Sequence, residues 1–328
     1  VLLTSFLLAG LAIVLAWPVP SVLARAAWPA RAPGTALLVW QAIALAGGLS
    51  MIGAMLTYGL VPFGDHLVAG LTAFVGSLAD GRLPESANFT QMFALSGAIL
   101  LGLHLVLNLA LTSARTERQR RRHVQLVRLL SFPMPGSPST RLIDHAAPIA
   151  YCLPQSFRSM TVLSAGLLEL LDEEQLRAVI AHEEAHVRQR HHIVLLGFAA
   201  WRSALPWFPI AVRAQDAVAL LVEMLADDRA RQAVSDGVLA GTVVLTATGG
   251  VDDESRSTGL ADPLAIDTAP TSPAVTGLST AALIEPRVRR LVSPRPPLAA
   301  AARFAIAVCA VALVAVPTVL LFLPALIN

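Results

Sequence analysis

The chain has 328 residues, 55% apolar and 14% charged, with a mean hydropathy of +0.65, a balance that excludes an ordinary soluble domain. The formal charge of +2 arises from 24 arginines and no lysine against 22 acids. The position of the charges therefore carries more information than their sum.

Four stretches hold no charged residue: 1–24, 32–64, 86–114 and 304–328. Each reaches or exceeds the ~20 residues that a helix needs to cross a hydrocarbon core of about 30 Å. Three membrane helices are predicted at about 1–24, 35–61 and 92–114, making residues 1–114 a membrane region, and a fourth at 303–328. The first stretch lacks the basic leading region of a signal peptide and is read as a span.

The connection 18–34 holds Arg25 and Arg31 and no acid, whereas 61–91 holds Asp65, Asp80 and Glu85 against Arg82. Arg115, Arg118, Arg120, Arg121, Arg122 and Arg128 follow the third span, and Arg287, Arg289, Arg290, Arg295 and Arg303 precede the fourth. The arginine excess of cytoplasmic flanks places both termini outside and residues 115–302 in the cytoplasm. Both arginine runs abut spans, so topology accounts for them and no direct nucleic-acid contact is expected. Cys152 lies in the inward region and Cys309 inside the last span, an arrangement that predicts no disulfide.

Within 115–302, Pro148-Ile149-Ala150-Tyr151-Cys152 and Met160-Thr161-Val162-Leu163-Ser164 read as two strands of a hairpin. Asp172-Glu173-Glu174-Gln175 is a capping-box variant that opens a helix to about Arg190. A second helix is expected over about 211–234, after an apolar connector, 193–212, broken by Pro206 and Pro209 and read as buried or membrane-surface rather than spanning. Residues 249–284 turn to Asp, Ser, Thr, Gly and Pro and are expected to be a flexible excursion.

The chemistry is concentrated in His182-Glu183-Glu184-Ala185-His186. On a helix, residues four apart stand one turn above each other, so both imidazoles can reach one ion while Glu183 stays adjacent to it. Glu223 lies 37 residues past His186 on the second helix and is the candidate third ligand, with Asp227 one turn later to orient a histidine. Ala219, Ala226 and Ala230 lack bulk and permit close packing of the two helices. His191 and His192 fall off the metal face and are expected at the helix end or in solvent. His104 and Asn108, one turn apart in the third span, are expected to bond to another helix.

These residues resemble a known family. Ala150-Tyr151-Cys152-Leu153-Pro154, the segment Leu176 to His186, Trp207-Phe208-Pro209, Glu223 to Arg229 and Arg287-Val288-Arg289-Arg290-Leu291 resemble the gluzincin metallopeptidases, and together with the spans resemble the BlaR/MecR-type membrane peptidases. The resemblance implies a mainly α membrane protein of about four transmembrane helices, with an inserted cytoplasmic gluzincin-like α+β metallopeptidase domain. It implies one Zn2+ per chain on His182, His186 and Glu223, and Glu183 as the catalytic base that takes a proton from the attacking water and returns it to the leaving amine. It implies that an extended peptide adds to a sheet edge, for which Met160, Thr161, Val162, Leu163 and Ser164 are the candidate strand.

The expected partners are the lipid bilayer and a cytosolic protein substrate, a winged-helix transcriptional repressor in that family; a homodimer is left open. No penicillin-binding sensor is expected after the last span, so a signal would come through the spans, the loop 61–91 or another protein. Two other readings stay open: a membrane quality-control or processing protease of the HtpX or CAAX type, and a non-catalytic membrane receptor or scaffold.

Overall fold

The computed structural model describes residues 1–81, 87–134, 137–154, 159–206, 208–249 and 280–327. Most of the expected flexible excursion, 250–279, lies outside them, as does Trp207. The chain divides into two compact units: one of Val1–Leu109, Ser203–Ala214 and Leu298–Asn328, the other of Ala110–Arg202 and Gln215–Pro297.

In the first unit, α1 (Leu2–Ala16) and α2 (Pro18–Arg25) meet at Trp17 and are followed by α3 (Pro33–Gly59), α4 (Leu67–Asp80) and the start of α5 (Phe89–Leu130). With the last helix, Ala300–Ile327, called α12 below, they supply four segments long and apolar enough to cross a membrane: Leu2–Arg25, Pro33–Gly59, Phe89–Leu130 and Ala300–Phe322. Apolar attraction between helices is weak in lipid, so close packing depends on small side chains. The buried side of α3 supplies them in Ala42, Ala46, Ser50, Gly53 and Ala54. Leu8, Ala54 and Leu321 form one cluster there, and Ser5 Oγ donates to Ala54 O at 2.9 Å. A Cβ on Gly59 would stand 2.6 Å from Leu95 Cβ, so α5 can approach α3 at that depth only over a glycine. The connection between the second and third spans holds an unexpected helix, α4, capped by the His66 side chain and ended by Gly81 at φ 65.

His104 and Asn108 do bond to another segment. His104 Nε2 donates to Ala204 O at 3.1 Å, and Ser203 Oγ donates to Asn108 Oδ1 at 3.3 Å. The apolar connector forms two helices rather than one, α8 (His191–Ala204) and α9 (Pro209–Ala230), because Pro206 and Pro209 interrupt the hydrogen-bond ladder.

The second unit begins inside α5, which runs 42 residues instead of stopping near 114. Past that point its residues are mostly Arg, Glu, Gln and Leu, which are good helix formers. Glu117 also pairs with Arg120 and Arg121 at one-turn spacing, which supports the extension. A four-stranded sheet follows: β1 (Ser131–Met134), β2 (Ser137–Ile143), β3 (Ala150–Pro154) and β4 (Ser159–Ser164), in the order β1-β2-β4-β3. The expected hairpin is β3 and β4, antiparallel with Cys152 opposite Thr161. The first two strands carry prolines and little β-branching, so their sequences give a weak strand signal.

This order corrects one expectation. Thr161, Val162, Leu163 and Ser164 pair in parallel with β2, while Met160, Thr161, Val162 and Leu163 pair with β3. Strand β4 is interior, and its backbone groups are spent on both sides. The outer strands are β1 and β3, and β3 is the one that pairs directly with β4.

Then come α6 (Ala165–Leu170), α7 (Glu173–Arg188), α10 (Asp236–Gly249) and α11 (Thr280–Val292). The last of these includes residues 280–284, which were expected to be flexible. Helix α7 opens with the expected capping box: Gln175 N–H donates to Asp172 Oδ1 at 2.8 Å and Asp172 N–H to Gln175 Oε1 at 3.0 Å.

Candidate metal centre

Helix α7 presents His182 and His186 on its buried side, and α9 presents Glu223. Small residues make the approach of these helices sterically feasible: Ala178 of α7 and Ala230 of α9 share one fully buried cluster. The two Nε2 atoms lie 3.2 Å apart, with Glu223 Oε2 3.3 Å from His182 Nε2 and Glu223 Oε1 3.5 Å from His186 Nε2. Ligands about 2.0–2.1 Å from a tetrahedral zinc are separated by about 3.3–3.4 Å along each edge. The two imidazole nitrogens and the two carboxylate oxygens thus stand pairwise close to that edge length, and one ligand atom from each of the three residues lies within 4.8 Å of the others.

Charge agrees with geometry. Asp227 is 1% exposed and bonds His182 Nδ1 at 3.0 Å, which leaves His182 Nε2 pointing toward the other ligands. Arg287 of α11 binds Asp227 through Nε and Nη2 at 2.8 and 2.7 Å and reaches Glu223 Oε2 with Nη1 at 3.0 Å. Burial opposes ionisation of both carboxylates, yet the guanidinium outweighs it, holding Asp227 down at about 2 and Glu223 below the carboxylate range. Burial likewise opposes a charge on His182, but hydrogen bonds with Asp227 and Glu223 push it up to about 10. His186 follows its burial and falls to about 3. In the metal-free site, a proton on His182 balances the two carboxylates that Arg287 alone does not neutralise. A divalent cation fits the same charge deficit, and the donor set of two imidazoles and a carboxylate suits zinc.

Glu183 stands beside this group and is raised to about 7, chiefly by burial. The backbone N–H of Cys152 donates to it, so the outer edge of β3 faces the carboxylate. Glu184 points away and pairs with Arg188 on the surface. Cys152 and Cys309 are both free thiols; burial lifts Cys152 to about 12 and leaves it inert at neutral pH.

Two residues escaped the sequence reading. Arg287, 60 residues beyond Asp227, stands in the sequence only as one of the arginines before the fourth span and as part of a resemblance, with no role at the site. His191 was expected at a helix end or in solvent; instead it is 1% exposed, with Nδ1 3.2 Å from His186 Nδ1. The cause is Arg190, whose φ of 52 puts the left-handed turn of a helix stop at a non-glycine residue and folds His191 back against α7. His192 is partly buried.

No solved structure matches the chain. The segment 113–248, which contains α7, α9 and all three candidate ligands, matches the family model of peptidase family M48, so that over these residues the chain is similar to a family of membrane-type zinc metallopeptidases.

Proposed function

We propose that this protein is an integral-membrane zinc endopeptidase that hydrolyses a peptide bond of a cytosolic protein, a winged-helix transcriptional repressor in a BlaR/MecR-like circuit. The observation that carries the catalytic part is the convergence of His182 Nε2, His186 Nε2 and the Glu223 carboxylate at 3.2–3.5 Å beside a half-buried, raised Glu183. The resemblance of the inward segment and the arrangement of spans support the repressor as substrate.

His182, His186 and Glu223 would hold the ion, which supplies Lewis acidity to the scissile carbonyl and to water. Glu183 does the proton work: its carboxylate accepts a proton from the attacking water and hands it to the departing amine. A basicity near neutral suits both halves of that task. An extended substrate lies along β3 rather than β4, its backbone bonding to the outer edge from Ala150 to Pro154. Residues 115–302 face the cytoplasm in this reading, with both termini outside, as the arginine-rich flanks require.

A second reading, a quality-control or processing protease acting on membrane substrates, is favoured by one observation: residues 203–214 of the connector group with the long apolar helices. Cleavage assays separate the two by substrate, using a soluble repressor against a membrane-inserted protein. The metallopeptidase reading itself is tested by Glu183→Ala, expected to keep zinc and lose proteolysis, and by His182→Ala, expected to lose both. Normal cleavage by Glu183→Ala would overturn the assigned roles.

A further inference from the structure

We infer that His191 is a positioning residue that fixes the tautomer of the ligand His186, in a hydrogen-bonded series running from His186 through His191 to Gln189. The inference rests on the metal-centre reading above and adds a residue to it.

His186 Nδ1 and His191 Nδ1 are 3.2 Å apart, and His191 Nε2 is 3.0 Å from Gln189 Oε1. Two ring nitrogens at that distance can share only one proton. If His191 supplied it, His186 would be an acceptor at Nδ1, and in the neutral ring the proton would then sit on Nε2, the atom that faces His182 and Glu223. Such a ring cannot ligate through Nε2. If His186 supplies it, Nε2 keeps a free lone pair aimed at the ion. Gln189 selects the second arrangement. Its carbonyl oxygen can only accept, so the proton of a neutral His191 is drawn to Nε2 and Nδ1 is left as an acceptor for His186.

The placement is specific. The His186 and His191 rings meet nearly edge-on, at 88° with centroids 4.9 Å apart. His191 reaches this position only because Arg190 adopts φ 52 between α7 and α8. The two ligand histidines are thus oriented by different means: His182 by the carboxylate of Asp227, His186 by a neutral imidazole. A neutral partner adds no charge beside a cluster that already contains Glu183, Glu223 and Asp227. The outer partners of metal-bound histidines commonly contribute about 10–100-fold to metal affinity.

The test is zinc affinity of the full-length, detergent-solubilised protein, measured by chelator competition. His191→Leu is expected to bind zinc about 10–100-fold more weakly, while His191→Asn, whose side-chain oxygen can accept near the Nδ1 position, is expected to recover most of that loss. His192→Ala serves as the control and should bind as wild type does. Metal-free melting temperatures check that each variant folds, and His191→Phe replaces the leucine variant should it fail to. Wild-type affinity in the apolar variant would overturn the inference, as would equal losses in the asparagine and apolar variants, since both would reduce His191 to space filling. Absence of zinc binding by the wild type would instead overturn the metal centre itself, a separate result.

Discussion

Arg287 grips Asp227 through two parallel hydrogen bonds of 2.8 and 2.7 Å, and the same carboxylate holds His182 Nδ1 at 3.0 Å. A guanidinium 60 residues away in sequence therefore sets the orientation of a candidate metal ligand through one intervening aspartate. Removing a single partner of a buried pair leaves uncompensated charge, which costs about 3–5 kcal/mol. Arg287→Met should lower the melting temperature of the metal-free protein accordingly. Arg287→Lys should recover little, since a single ammonium cannot reproduce the fork. A wild-type melting temperature for Arg287→Met would show that the cluster tolerates the unpaired carboxylates.

Acid should destabilise the metal-free protein. The folded pKa of Asp227 is depressed to about 2 and that of Glu223 is depressed as well, whereas in the unfolded chain such groups titrate at about 4. A depressed carboxylate contributes stability that is fully present above the unfolded value and is lost as pH falls through the folded one. Unfolding in chelator should therefore become easier as the pH drops from about 4 toward 2. The Asp227→Asn variant should show a shallower decline over the same window. Parallel pH profiles for the two proteins would contradict the linkage.

Arg190 occupies the left-handed conformation usual for glycine after a helix. Its own N–H bonds Val187 O at 3.1 Å, and Ile193 N–H bonds Arg190 O at 3.0 Å, so backbone bonds on both sides of Arg190 support the turn. Arg190→Gly should stabilise the protein by roughly 0.5–1 kcal/mol, or at worst leave it unchanged, with zinc affinity preserved. Arg190→Val, β-branched and unsuited to positive φ, should weaken both stability and zinc binding by displacing His191. Retention of full affinity in the valine variant would mean that His191 finds its place without this turn.

The arginine distribution assigns a side to each connection. In a protein whose native cysteines are replaced, a cysteine at Asp80, between the second and third long helices, should react with a membrane-impermeant maleimide on intact cells. A cysteine at Arg188, exposed at the end of α7, should react only after permeabilisation. The reverse pattern would invert the topology and with it the cytosolic substrate.

How much of the site could be read in advance depends on the range of the interactions. His182 and His186 share a face because helical geometry repeats every 3.6 residues, and the capping box of Asp172 and Gln175 is equally local. Glu223 and Asp227 were reached through a one-turn spacing beside small alanines, again a regularity along one helix. The strand expected to hold substrate was placed wrongly: the composition of residues 160–164 marks a strand but not its neighbours, and β2, which covers its far side, carries a weak signal of its own.

Sequence by itself determined the apolar stretches, the charge asymmetry around them, and a helix pair bearing the candidate ligand and base residues, because each follows from composition or from periodicity within a single element. Tertiary structure alone decided that β3 is an outer strand and β4 an interior one, that Arg287 locks Asp227, and that His191 turns back onto His186. Those three depend on strand order, on a pairing across 60 residues and on one backbone dihedral. None of these is encoded in any short stretch of residues, because each is fixed only when separate elements compete for the same buried hydrogen bonds and charges.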